Sequence, residues 1–136
     1  MKALCLPLGC TVVLALTSCT LSYDLGVTQS TPPSEVATVT LSNAFYLRAL
    51  DGQEFHSKFN MSTNGKTILH LSPGLHTFSF TYDPAQGWYT RDVTTLSKTL
   101  VGGRYYLINS ALDRQYVGTP RIMNFSIDDV TGLTSK

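Results

Sequence analysis

The chain has 136 residues, 43% of them hydrophobic, with ten Lys and Arg against nine Asp and Glu. That is material for one globular domain. A formal net charge of +1 gives no electrostatic reason to expect nucleic acid or an acidic membrane surface as a partner.

Residues 1–18 read as a secretory leader. Met1-Lys2 supplies a short positive end, and an apolar run follows from Ala3 to Leu16, interrupted by Pro7 and Gly9. The run is too short to remain in a bilayer as a spanning helix. It ends in Leu16-Thr17-Ser18-Cys19, an aliphatic residue, two small residues and a cysteine, which resembles the lipobox of bacterial lipoproteins. A second candidate, Leu8-Gly9-Cys10, lies too near the N-terminus to leave a full apolar core before it. The resemblance implies that the Cys19 sulfur receives a diacylglycerol, that the leader is cut before Cys19, and that the new amine is acylated with a palmitate-type chain. Thr20 in the next position implies, by the sorting pattern of that family, an outer-membrane rather than inner-membrane destination in a Gram-negative cell. With Cys5 and Cys10 lost with the leader and Cys19 taken by lipid, the remaining domain has no thiol for a disulfide, a metal–thiolate centre or a nucleophile.

Residues 20–34 contain Ser22, Gly26, Ser30, Thr31, Pro32, Pro33 and Ser34 with little apolar periodicity. This composition predicts a flexible tether, residues 19–35 with the lipidated cysteine. A domain over 36–130 and a tail over 131–136 follow. From Val36 onward the pattern is strand after strand. Segments 36–42 and 44–50 are rich in β-branched and aromatic residues, and Asp51-Gly52 follows as a turn. Segments 66–71 and 75–82 flank Pro73-Gly74. Asp83-Pro84 and Gly87 mark a loop, 90–100 is dense in Thr and Val, and Gly102-Gly103 turns the chain into 104–109. A last run, 121–127, alternates Arg121, Met123, Phe125 and Ile127 against Ile122, Asn124 and Ser126. No segment carries a helical stripe.

The stretch around Pro73-Gly74 holds two of the three histidines. If that pair is the centre of a two-residue hairpin turn, Leu71 faces His76 and His70 faces Thr77. Side chains alternate along a strand and directly paired residues share a face. One face then carries Leu69, Leu71, His76, Phe78, Phe80 and Tyr82, and the other Ile68, His70, Thr77, Ser79 and Thr81. The first is the core face, so His76 points inward and His70 outward. They cannot chelate one ion in this register, and a one-residue slip that united them would mix the aromatic and polar rows. His56 follows the Asp51-Gly52 turn with no partner pattern, so the histidines make no metal centre.

The stretch KTILHLSPGLHTFSFTYDP, followed some twenty residues later by VGGRYYLI, resembles a pattern of small bacterial envelope lipoproteins and PEGA-like surface domains. The matching positions are Leu71, Pro73, Gly74 and His76, then Gly103, Arg104, Tyr105, Tyr106 and Leu107. The resemblance covers roughly residues 66–109 and implies a β-sandwich with no associated catalytic residues. The close spacing of short strands leads to the same expectation: an all-β, antiparallel sandwich, immunoglobulin- or transthyretin-like, of about six to eight strands.

Catalytic constellations are missing from the pattern. No Gly-x-Ser-x-Gly or Ser-x-x-Lys stands in the mature chain. The carboxylates, Asp128-Asp129 included, sit mostly at turns and strand ends, and Gly102-Gly103 is an isolated pair rather than a phosphate loop. Neither cofactor nor metal is expected. The aromatic set is more informative: Trp88 and Tyr89 follow a five-residue loop, with Arg91 close by. An aromatic pair on a loop tip can form a contact surface for carbohydrate or protein, or Trp88 can fold back over one end of the sandwich. The reading as a whole is a non-enzymatic, lipid-anchored β-sandwich. It is expected to meet another envelope component, protein or glycan, through loop 83–91. The alternative is a periplasmic carrier holding a lipid or other small ligand in a cavity between the sheets.

Overall fold

The apolar–polar alternation becomes nine strands in a computed structural model that describes residues 20–55, 65–83, 92–112 and 123–133. In chain order these are β1 (Thr20–Leu25), β2 (Ala37–Ser42), β3 (Phe45–Leu50), β4 (Gln53–Glu54), β5 (Lys66–Leu71), β6 (Gly74–Tyr82), β7 (Thr94–Leu100), β8 (Tyr105–Leu112) and β9 (Met123–Asp129). One sheet runs β1-β5-β2-β8-β9 and the other β4-β3-β6-β7. The two form a sandwich, the architecture expected from the strand spacing. The second sheet is antiparallel throughout. The first is mixed, because β1 runs parallel to β5 and β2 parallel to β8.

What holds the sheets together is the inward half of each alternation. Ala37, Val39 and Leu41 of β2 and Leu69 and Leu71 of β5 face Phe78 and Phe80 of β6, all at 0–1% exposure. Phe45 lies 4.9 Å from Tyr82 at a tilt of 52°, and Phe80 meets both Phe45 and Phe125 edge-to-face at 5.3 Å. Such geometry sets the positive edge of one ring against the negative face of another. The polar ends of buried tyrosines are satisfied. The Tyr106 hydroxyl accepts the Val101 N–H at 2.9 Å, and the Ser110 hydroxyl donates to the Tyr82 oxygen at 2.9 Å. On the outer face of the second sheet the other half of the alternation pairs as well, with Thr77 and Ser97 hydroxyls 2.9 Å apart and Ser79 and Thr95 hydroxyls 3.1 Å apart.

Two expectations are corrected. Segments 66–71 and 75–82 do not form a hairpin. β5 pairs with β1 and β2 in one sheet, while β6 pairs with β3 and β7 in the other. Ser72 and Pro73 carry the chain across the sandwich. Pro73 has no N–H to give to a ladder, and Gly74 takes φ of 136°, a conformation that side chains rarely adopt. The two apolar rows therefore meet across the core instead of side by side. The facing assignments survive because alternation is the same in both arrangements: His76 is buried and His70 is partly exposed.

Nor does the tether begin where composition placed it. Residues 20–25 are β1, paired in register from Thr20↔Lys66 to Leu25↔Leu71. Leu21, Tyr23 and Leu25 alternate with exposed Thr20, Ser22 and Asp24. Tyr23 and Leu25 pack against the core, and the Tyr23 ring stands 4.9 Å from that of Phe55. Three apolar residues at period two were enough, once β5 offered a free edge. β1 and the two-residue β4 are strands outside the runs read from the sequence, and they bring the count among the described residues to nine against the six to eight expected.

Candidate functional site

The site is built by the route the chain takes from β1 to β2. Both strands flank β5, so the connection over 26–36 must arch across the end of β5. Hydroxyls stiffen this arch: the Thr28 N–H donates to Thr31 Oγ1 at 2.9 Å, the Thr31 N–H returns to the Thr28 carbonyl at 2.9 Å, and Thr28 and Ser30 hydroxyls lie 2.8 Å apart. Such local side-chain bonds are what Ser and Thr offer outside regular structure. A single 3₁₀ turn, Pro33–Glu35, then delivers the chain to β2. The β7–β8 turn lies close against it. A Cβ on Gly102 would lie 2.3 Å from the Ser34 carbonyl oxygen and 2.9 Å from Glu35 Cα, so only glycine allows this approach.

Between arch and sheet lies an open groove of about 520 Å³. Its floor is one row across four adjacent strands: Asp24 on β1, His70 on β5, Thr38 on β2 and Tyr105 on β8, consecutive partners in the ladder. All four line the groove, together with Val27, Thr28, Gln29, Thr31, Pro33, Ser34 and Val36 of the arch and Gly103. Asp24 Oδ1 and His70 Nδ1 are 2.6 Å apart. The carboxylate accepts, so Nδ1 donates, which leaves Nε2 without a partner among the described residues. Tyr105 is 47% exposed, yet its backbone is fixed, the N–H donating to Thr131 Oγ1 at 3.0 Å and the carbonyl accepting from Val130 at 2.8 Å.

The other histidine serves the fold. His76 Nδ1 lies 2.7 Å from Asp51 Oδ2 and Nε2 lies 2.8 Å from the Ser72 carbonyl oxygen. Both partners only accept, so keeping both bonds requires a proton on each ring nitrogen. Asp51, at φ 52° in the β3–β4 turn, also takes the Thr77 N–H on Oδ1 at 2.8 Å. One carboxylate thus ties the turn to β6, and through His76 to the crossing at Ser72. Burial pushes the Asp51 carboxyl up, but the hydrogen bonds from Thr77 and His76 and the His76 charge together outweigh it and hold it below its ordinary 3.8.

A carboxyl lowered by folding stabilises the fold above its unfolded pKa, and that contribution is lost as pH falls through the lower folded value. Asp51→Asn is therefore expected to flatten the acid side of a stability-against-pH curve below about pH 4. Because the Asp51 side chain is 45% exposed, the cost at neutral pH stays at about 1–2 kcal/mol. Urea unfolding of parent and variant across that range measures both; parallel acid limbs would remove Asp51 as the titrating tie.

Asp128 and Asp129 are engaged within the chain. Asp129 accepts from Thr131 N–H at 3.0 Å and Arg104 Nη1 at 2.7 Å, and Asp128 accepts the Ser126 hydroxyl at 3.0 Å. Hydrogen bonds from the Thr131 hydroxyl and backbone, then from Arg104, bring the Asp129 carboxyl down to about 2. Among the described residues no three His, Cys, Asp or Glu side chains are placed to hold a metal ion.

Of the residues singled out in the sequence, Cys19, Trp88, Tyr89 and Arg91 lie outside the described residues, as does His56. The tyrosine pair divides: Tyr106 is core at 2% exposure and Tyr105 is surface. Sequence reasoning placed His70 on the outer face but missed its partner Asp24, 46 residues away, because the strand that carries Asp24 was read as tether. Comparison with protein-family models, with curated proteins and with solved structures gave no match.

Proposed function

We propose that this chain is a lipid-anchored recognition domain of a bacterial envelope, held to a membrane through Cys19 and binding another envelope component, protein or glycan, in the groove beneath the 26–36 arch. The observation that carries this reading is where the groove lies. β1 starts at Thr20, one residue after Cys19, and its far end carries Asp24 into the groove. At about 3.3 Å per residue, a lipid on Cys19 and the groove stand roughly 17 Å apart along one strand. The anchor would then hold one end of the sandwich and the groove would open at the other. A partner approaching from beyond the membrane meets the groove first.

The carrier alternative needs room between the sheets. Among the described residues that space is filled by side chains at 0–9% exposure, and the groove lies outside the sheet. This favours recognition at the surface.

A photo-crosslinking amino acid placed at Thr38 and activated in whole cells tests the assignment, with Thr95 on the outer face of the second sheet as control. The expected result is a higher-mass adduct from position 38 and none from position 95. Equal labelling from both positions, or none from 38, would remove the groove.

A further inference from the structure

The lining of the groove specifies a ligand chemistry, and this inference rests on the groove's being the recognition surface. No Lys or Arg is among the lining residues, and the one fixed charge is the Asp24 carboxylate, engaged by His70. A phosphate or carboxylate ligand would meet that carboxylate with no fixed cation to offset it. A hydrocarbon would cover the hydroxyls of Ser34 and Thr38 and the Gln29 amide without returning their hydrogen bonds, which is costly. A basic ligand would meet a single carboxylate that is already engaged by His70.

What remains is a neutral molecule that both donates and accepts along its length. Hydroxyls of Ser34 and Thr38 and the Gln29 amide do both. Asp24 has a second oxygen to accept, and His70 Nε2 is without a partner among the described residues. Beside them stands the half-exposed Tyr105 ring on a fixed backbone. A tyrosine ring offers a rigid apolar face at small entropy cost. A pyranose presents this combination: hydroxyls around its rim and a patch of C–H on one face. The groove's volume of about 520 Å³ falls within the range of roughly 300–1,000 Å³ typical of small-ligand sites.

We propose that the groove binds a neutral saccharide, with Asp24, His70 and Thr38 bonding its hydroxyls and the Tyr105 ring lying against its apolar face. The test is calorimetric titration of the full chain in detergent with cellobiose and N,N′-diacetylchitobiose as neutral probes, and digalacturonate as an anionic one. At least one neutral disaccharide is expected to bind saturably and at least tenfold more tightly than digalacturonate. Tyr105→Ala is expected to weaken it tenfold or more, while Tyr105→Phe, which keeps the ring, stays within threefold. Asp24→Asn, which keeps the side-chain shape but removes the charge, is expected to narrow the neutral-over-anionic preference.

Absence of saturable neutral binding, tighter binding of digalacturonate, or equal affinities for Tyr105→Ala and parent would each overturn the saccharide assignment. Circular dichroism on each variant separates lost binding from lost folding, and Tyr105→Phe supplies the answer if Tyr105→Ala does not fold. A protein adduct captured from position 38 together with no neutral binding would sink the saccharide and leave the groove as a recognition surface. No adduct and no neutral binding would sink both.

Discussion

A Cys19→Ala chain is expected to leave the membrane fraction and to take up no labelled palmitate. The size of the effect follows from acyl chemistry. Each buried CH₂ contributes about 0.8 kcal/mol, one chain alone gives marginal and reversible attachment, and two or more give a lasting anchor. In the proposed anchor every chain depends on that cysteine, so the loss would be close to all-or-none. Fractionation and palmitate labelling of parent and variant measure it, and a variant that stays in the membrane with as much label as the parent ends the anchor proposal. The structure adds a geometric consequence. Because β1 opens at Thr20, an anchor at Cys19 would grip the folded domain directly, leaving it little freedom to rotate. Inserting a ten-residue Gly-Ser spacer between Cys19 and Thr20 should keep membrane attachment while releasing that constraint.

Phe80→Ala is the second large effect, on stability. Phe80 is 0% exposed and packs against Phe45 and Phe125 at 5.3 Å. Removing the ring forfeits its transfer energy and leaves a cavity that the two sheets cannot fully close, at a cost of about 3–5 kcal/mol. Domains of this kind are stable by only about 5–15 kcal/mol, so the variant sits near the edge of folding. Leu133→Ala provides the contrast: that side chain is 78% exposed, and its loss should stay within about 0.5 kcal/mol. Urea midpoints at unchanged slope report both values. A Phe80→Ala cost below about 1 kcal/mol would mean that the aromatic cluster does not organise the core.

These two predictions draw on different stretches of the chain, and the stretches were not equally legible. The core was open to reading because burial writes itself into the sequence at period two. Leu69, Leu71, His76, Phe78, Phe80 and Tyr82 were assigned inward from their alternation within a supposed hairpin, and the structure buries each of them without that hairpin. The groove was not legible. Its floor joins Asp24, Thr38, His70 and Tyr105, four residues from four strands with no common spacing. Each by itself is an ordinary polar residue on an exposed face. β1 had a signal, Leu21, Tyr23 and Leu25 at alternate positions, but the Ser, Thr, Pro and Gly that follow it mask so short a run.

By itself the sequence determined that this is an all-β domain and which side of the 66–71 and 75–82 strands is buried. Those properties depend on the alternation of side chains along one strand, which no neighbour can change. Only the tertiary structure decided which strands are partners. A Pro-Gly link between two alternating runs serves equally a hairpin and a crossing between sheets, since both keep the apolar rows on the core. The choice fell to the other strands: β1 and β2 take both edges of β5, and β3 and β7 take both edges of β6. That choice laid Asp24 beside His70 and sent the 26–36 arch over them to make the groove.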